Sequence, residues 1–238
     1  MSRSFLWVDE SPQLACIGFL TEHEWLTYSI GVMSSDPEEK MLWREKWASF
    51  LSRMPAFSNR KHLSDFADIG ILLNPGKKLV AISIFPLVLS GKYLKLQRGI
   101  AQTRHFCFSC NGSGKKNGKI CSVCKGEKTL TKESIQELIA PFFVSAFGCE
   151  EVLFHGAGRE DVDVRMLGNG RPFALTLENP KKRVVDMRQL QNEINNGLKE
   201  KIELRELKIA HPTDVAKITR AYHTKRYRAL MESKEKIA

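Results

Sequence analysis

The chain has 238 residues, 42% hydrophobic and 27% charged, a composition that excludes neither one large domain nor two small ones and needs no disulfide support. Thirty-seven Lys and Arg against 27 Asp and Glu leave a formal charge of +10, which favours polyanionic partners because neutralised phosphates release counterions, although charge alone leaves a merely basic soluble protein equally open. No secretory pattern opens the sequence and no apolar run is long enough to span a bilayer, so a membrane partner is not expected and the cytoplasm is the expected location.

Residues 27–33 alternate as a strand does. Asp36, Pro37, Glu38 and Glu39 then supply a capping side chain, a first-turn proline and early carboxylates, the signals of a helix start. Trp43, Trp47, Phe50, Leu51 and Met54 follow on one helix face, a spacing that assigns the tryptophans to core packing rather than to stacking on bases. Residues 67–73 and 78–89 are predicted as strands around a turn at Asn74-Pro75-Gly76-Lys77. The longest apolar run, Leu79 to Leu89, reads as one or two buried strands. This first part is a small α+β unit ending near residue 105.

A Gly- and Lys-rich stretch, 105–128, carries four cysteines. Ile135, Leu138, Ile139, Phe142, Phe143 and Phe147 then predict a helix ended by Gly148, with Pro141 expected to kink or divide it. Strands are predicted at 151–154 and 173–177, a helix at 190–198, a strand at 202–209, a helix at 213–222 and the start of a strand at 227–230. The fold class expected from this order is α+β.

Cys107-Phe108-Ser109-Cys110 and Cys121-Ser122-Val123-Cys124 are two CxxC pairs separated by ten residues. Two such turns complete a tetrahedral thiolate site, and each is followed by a glycine, Gly112 or Gly126, where the backbone must turn to a positive φ. Nearby Lys115, Lys116, Lys119 and Lys125 offset the thiolate charge. A redox pair is the main rival, but two close pairs fit a closed, structural zinc site better. Cys16 and Cys149 read as small core residues. His105, just before the first pair, reads as a surface or stacking histidine rather than a ligand.

The densest polar signature is Phe154-His155-Gly156-Ala157-Gly158-Arg159-Glu160-Asp161-Val162-Asp163-Val164-Arg165, an apolar strand running into a glycine turn and then into acids interleaved with arginines. Spacing alone slightly favours a solvated turn with local Arg–carboxylate pairs over a reactive loop.

The stretch FHGAGREDVDVRMLGNGRPFALTLENPKKR, residues 154–183, and the run PLVLSGKYLKLQRGIAQT, residues 86–103, resemble the archaeal and eukaryotic tRNA pseudouridine synthases that act on the T-arm. The resemblance covers roughly residues 67–231. It implies a THUMP-like RNA-binding module over 1–104, a four-cysteine zinc knuckle over 105–128, and the N-terminal, incomplete part of a mixed or antiparallel catalytic sheet with helices over 129–238. It implies isomerisation of a T-arm uridine, at position 54, 55 or both, to pseudouridine. Asp161 would be the catalytic carboxylate acting on a flipped base, Arg159 would hold the flipped nucleotide, and Tyr227 would stack on it. Asp163 is expected to pair with Arg165 or Arg171 instead. Zinc would be structural, held by Cys107, Cys110, Cys121 and Cys124, and no organic cofactor is implied.

Lys92, Lys95, Arg98, Lys181, Lys182 and Arg183 are the expected phosphate contacts. The family's sheet continues beyond the KxYRAL strand, so the resemblance implies a chain truncated at its C-terminus, which is either inactive or completed by a second polypeptide. The alternative is a non-catalytic, zinc-containing tRNA-binding protein or a fragment needing such a partner.

Overall fold

The computed structural model describes residues 2–6, 20–222, 224–230 and 232. Cys16 lies outside them. The elements in chain order are β1 (Ser2–Leu6), β2 (Thr27–Val32), α1 (Pro37–Ser52), β3 (Lys61–His62), β4 (Ile69–Asn74), β5 (Leu79–Ile84), β6 (Leu87–Lys95), β7 (Lys115–Lys116), β8 (Lys119–Ile120), α2 (Ile135–Phe147), β9 (Glu151–Gly156), β10 (Met166–Glu178), α3 (Met187–Gly197), β11 (Ile202–Ala210) and α4 (Thr213–Arg220). The expected α+β class holds. No helix among the described residues is long and apolar enough to cross a membrane.

Pro86 divides the long apolar run. It follows β5, which lies in a five-stranded sheet of order β1-β5-β4-β2-β3, and precedes β6, which lies inside a four-stranded antiparallel sheet of order β11-β6-β10-β9. A boundary at residue 104 therefore leaves β6 on the N-terminal side, although every strand that it pairs with lies beyond 150. In the first sheet the alternation along β2, β4 and β5 buries Tyr28, Ile30, Ile69, Ile71, Leu73, Val80, Ile82 and Ile84 in one core. Helix α1 is capped by Asp36, whose side chain accepts from the Glu38 N–H at 2.9 Å, and it buries Trp47 and Leu51 there. Trp43, Phe50 and Met54 pack against the same core, so the tryptophans are packing residues.

Helix α2 lays Ile135, Ile139, Phe143 and Phe147 on the second sheet, and α3 adds Leu190 and Ile194. Cys149 is buried beside them. Pro141 does not divide α2. The loss of one backbone bond is borne because the four-residue apolar stripe is fully buried and both ends are fixed. Ser134 Oγ accepts from the Glu137 N–H at 3.2 Å, and Gly148 closes the helix in the left-handed region. In β11, Ile202 and Leu204 face the core, and a bulge at Glu206 (φ 55°) changes the parity so that Leu207 also turns inward.

The expected strand at 227–230 is not formed. Among the described residues no strand of either sheet pairs with that segment, and a segment outside any hydrogen-bonded ladder is not a strand. Tyr227 is 76% exposed there.

Arg183 ties the two sheets together. Its Nη1 pairs with Asp68 Oδ1 at 3.1 Å, its Nη2 donates to the main-chain carbonyls of Asp68 and Phe85, and its own N–H donates to Glu24 Oε2 at 2.8 Å. Asp68 also accepts from the Leu26 and Thr27 N–H groups at 2.8 and 3.0 Å.

Candidate functional site

Strand β6 points Leu87, Leu89, Tyr93 and Lys95 to one face, because residues of equal parity share a side of the sheet. The first two pack in the core. The last two begin a buried polar network at the sheet's end. The Tyr93 hydroxyl donates to Glu160 Oε2 at 2.7 Å and accepts from Gln102 Nε2 at 2.8 Å. Arg171 Nε lies 2.8 Å from the same Glu160 oxygen, and Lys95 Nζ lies 3.9 Å from Oε1. Burial, then the Glu160 charge, pushes the Tyr93 phenol well above its ordinary range, so it acts as a donor.

These side chains also hold the main chain of the loop between β9 and β10. Arg171 Nη1 donates to the Ala157 carbonyl at 2.8 Å and Gln102 Nε2 to that of Gly158 at 2.9 Å. Lys95 Nζ donates to the carbonyls of Ile100, Asp161 and Val162 at 2.9, 2.8 and 3.2 Å. Burial lowers the Lys95 pKa, but three carbonyl acceptors and the nearby Glu160 charge oppose that shift. The loop is thus fixed from beneath, and its side chains are left to point outward.

Asp161 is exposed and its carboxylate makes no hydrogen bond or ion pair among the described residues. It lines a groove of about 640 Å³ together with Arg159, Glu160 and Val162 from the loop and Arg104, His105, Phe106 and Leu130 from the flanks of the cysteine segment. Arg159, two residues away, is also exposed. Burial, then the Arg159 charge, holds the His105 imidazole below its ordinary value.

Three expectations need correction. Lys95 cannot meet a phosphate, since it is fully buried under the loop. Arg183 cannot either, since its guanidinium is spent on Asp68 and Phe85 between the sheets. Arg171 pairs with Glu160, not with Asp163, and Asp163 is exposed without an ion pair among the described residues. Of the other expected phosphate contacts, Lys92 is paired to Glu206 at 2.6 Å, and Arg98, Lys181 and Lys182 are exposed. Tyr227 does not line the groove. Sequence reasoning missed Tyr93, Gln102 and Glu160. The β6 parity was the available signal for Tyr93 and Lys95, whereas nothing local distinguished Glu160 from Asp161.

The four paired cysteines come together. Cys107, Cys110, Cys121 and Cys124 are buried, and their sulfurs lie within 4.8 Å of one another, with Cys107–Cys121 at 3.8 Å and Cys110–Cys124 at 3.6 Å. Roughly 2.3 Å tetrahedral metal–sulfur bonds separate sulfurs by roughly 3.8 Å, so the four thiolates fit one ion. The two knuckles repeat one backbone pattern: Asn111 and Gly112 at φ 49° and 74°, Lys125 and Gly126 at φ 51° and 91°. At Gly114 a Cβ would stand 2.8 Å from the Gly126 carbonyl, so a side chain there would force the knuckles apart. Backbone N–H groups of Cys124 and Val123 hold the Cys121 thiol down, while burial pushes Cys124 up.

These features define a class, an α+β protein of two main sheets with a metal-type cysteine cluster beside a groove lined by Asp161, Arg159 and Arg104. The family model described as "Pus10, C-terminal" matches residues 88–238. The chain is 39% identical to the tRNA pseudouridine synthase Pus10 of Methanocaldococcus jannaschii over 173 residues, covering 73% of this chain and 36% of that protein. The protein of the same name from Archaeoglobus fulgidus is 38% identical over 170 residues (71% and 45%), and that from Methanopyrus kandleri is 42% identical over 150 (62% and 33%). The chain belongs to the Pus10 family. It spans between a third and a half of the length of these relatives.

Proposed function

We propose that this chain acts on tRNA as a pseudouridine synthase, with the Asp161 carboxylate reaching a uridine extruded from the T-arm, at position 54, 55 or both. The observation that carries the reading is the division of labour between adjacent acids: Glu160 is consumed by Tyr93 and Arg171 inside the protein, and Asp161 is left, among the described residues, unpaired over a groove. Names of relatives at 38–42% identity support the same chemistry.

In this reading Asp161 either adds to the base or removes a ribose proton. The N1 glycosidic bond breaks, the base rotates, and its C5 bonds to the ribose carbon, with C5 losing its proton and N1 taking one up. Arg159 holds the nucleotide's phosphate beside it, and Tyr227 stacks on the base once RNA is bound. The five-stranded unit serves as a THUMP-like module that grips tRNA away from the reacting base. The cysteine cluster is a structural zinc knuckle, since all four donors are thiolates and the site is closed; zinc there would order a segment with no apolar core of its own.

The test is conversion of unmodified tRNA transcript. Wild type should form pseudouridine in the T-arm, and Asp161→Asn should abolish it while binding tRNA as before. A wild-type chain that binds tRNA and forms none would overturn the enzymatic reading.

A further inference from the structure

The groove that Asp161 lines has a second wall, and it belongs to the cysteine segment. Residues 104–106 enter the first knuckle and Leu130 leaves the second. The two strands of chain are stapled to each other, with the Leu130 N–H donating to the His105 carbonyl at 2.8 Å and the Cys107 N–H to that of Lys128 at 2.9 Å. Phe106 is 62% exposed although its neighbour Cys107 is fully buried. One edge of its ring lies so close to Gly112 that a Cβ there would meet it at 2.9 Å. The imidazole of His105 is half-buried, and its Nε2 is shut off from solvent with no hydrogen-bond partner among the described residues. That atom is as closed to a ligand as it is to water, so His105 meets the groove with the rest of its ring. Facing both residues is Arg159, exposed and without an ion pair among the described residues.

We propose that His105 and Phe106 form the base-contacting wall of this groove: Phe106 stacks on a pyrimidine ring and the half-buried His105 ring packs against the base beside it. This rests on the reading that the chain acts on tRNA. Aromatic faces stack on bases of any sequence. The cationic groups at the mouth of the groove, Arg104 and Arg159, suit the phosphates on either side of an extruded nucleotide. Arg104 is steadied there by Glu137. The cysteine knuckle thereby does more than hold a loop: it sets the distance between the stacking ring and the Asp161 carboxylate.

The experiment is photocrosslinking of the whole chain to a tRNA transcript carrying 4-thiouridine in the T-arm, followed by tryptic mapping. The crosslink is expected on the peptide 105–115. Phe106→Ala and His105→Ala should each lower its yield and slow pseudouridine formation about tenfold or more, the scale of losing one stacked base. Phe106→Trp should retain both, and Phe108→Ala should behave as wild type, because Phe108 is exposed between the cysteines but does not line the groove. Wild-type crosslinks confined to other peptides, or Phe106→Ala and His105→Ala that match Phe108→Ala, overturn the wall. A crosslink at 105–115 in a chain that makes no pseudouridine sinks the enzymatic reading and keeps the wall. Pseudouridine formed at the wild-type rate in both alanine variants does the reverse.

Discussion

The ammonium of Lys95 lies 2.8 Å from the main-chain carbonyl of Asp161, so the exposed carboxylate is positioned through its backbone by a residue that no ligand can touch. Lys95→Met keeps the unbranched apolar stem and removes the donors. Pseudouridine formation is expected to fall about a hundredfold in kcat, with tRNA affinity nearly unchanged, since misplacing a reacting group by about 1 Å costs on that order. Single-turnover rates and direct binding measurements separate the two. An equal loss of affinity would mean that Lys95 reaches the RNA after all.

Glu160 holds two cations and a phenol at once, and the sign of its contribution can be read from stability. Glu160→Gln leaves Arg171 and Lys95 buried without their counter-charge, so unfolding free energy should drop by about 3–5 kcal/mol. Tyr93→Phe removes one neutral donor and should cost about 1–2 kcal/mol. Denaturant melts of both variants check this ordering, and their reversal would remove Glu160 from the centre of the network.

The Tyr93 phenol gives that network a pH signature. Its folded pKa lies above its ordinary 10.0, so its contribution to stability is complete below about pH 10 and is lost as pH rises further. The stability difference between wild type and Tyr93→Phe should therefore be flat from about pH 7 to 9 and shrink above about 10, by up to about 1.4 kcal/mol per unit. A difference that stays constant to about pH 11 would show that the phenol is not held protonated.

Much of this was legible in the sequence, and the gaps have a physical pattern. The CxxC spacing determined which sulfurs meet, because four thiolates around one centre need little from the rest of the fold. The helix at 135–147 was legible from its stripe and caps. The acids were not separable, since Glu160 and Asp161 are adjacent and only the path of the loop decides which faces inward. Lys95 and Arg183 read as surface charges because their acceptors, the carbonyls of Asp161 and Phe85, lie 66 and 98 residues away in the chain.

Metal removal should act locally. The cysteine segment buries its sulfurs as a cluster of their own, separate from both apolar cores. Chelation is expected to release one zinc ion per chain and to expose 105–130 to proteolysis while the two sheets keep their cores. Release should become easier as pH falls, because protons compete for the thiolates. Elemental analysis with limited proteolysis, across about pH 6 to 8, reads all three outcomes. Protein that holds no metal when freshly purified and folded would defeat the knuckle.

Three consecutive basic residues, Lys181, Lys182 and Arg183, look alike in sequence and should behave differently. The two lysines are exposed, and Arg183 is buried against Asp68 and Phe85. If the lysines meet tRNA phosphates, replacing both by alanine should weaken binding at low salt and reduce the slope of log K against log salt by about 2, one for each phosphate left unneutralised. Arg183→Met should leave that slope unchanged. It should instead lower the unfolding free energy by about 3–5 kcal/mol, because Asp68 keeps a partly buried charge with no guanidinium to answer it. Salt titrations of tRNA affinity beside thermal melts of the same proteins make the comparison. A slope that falls with Arg183→Met would put that arginine on the RNA, and one indifferent to the lysines would place the RNA on another face of the molecule.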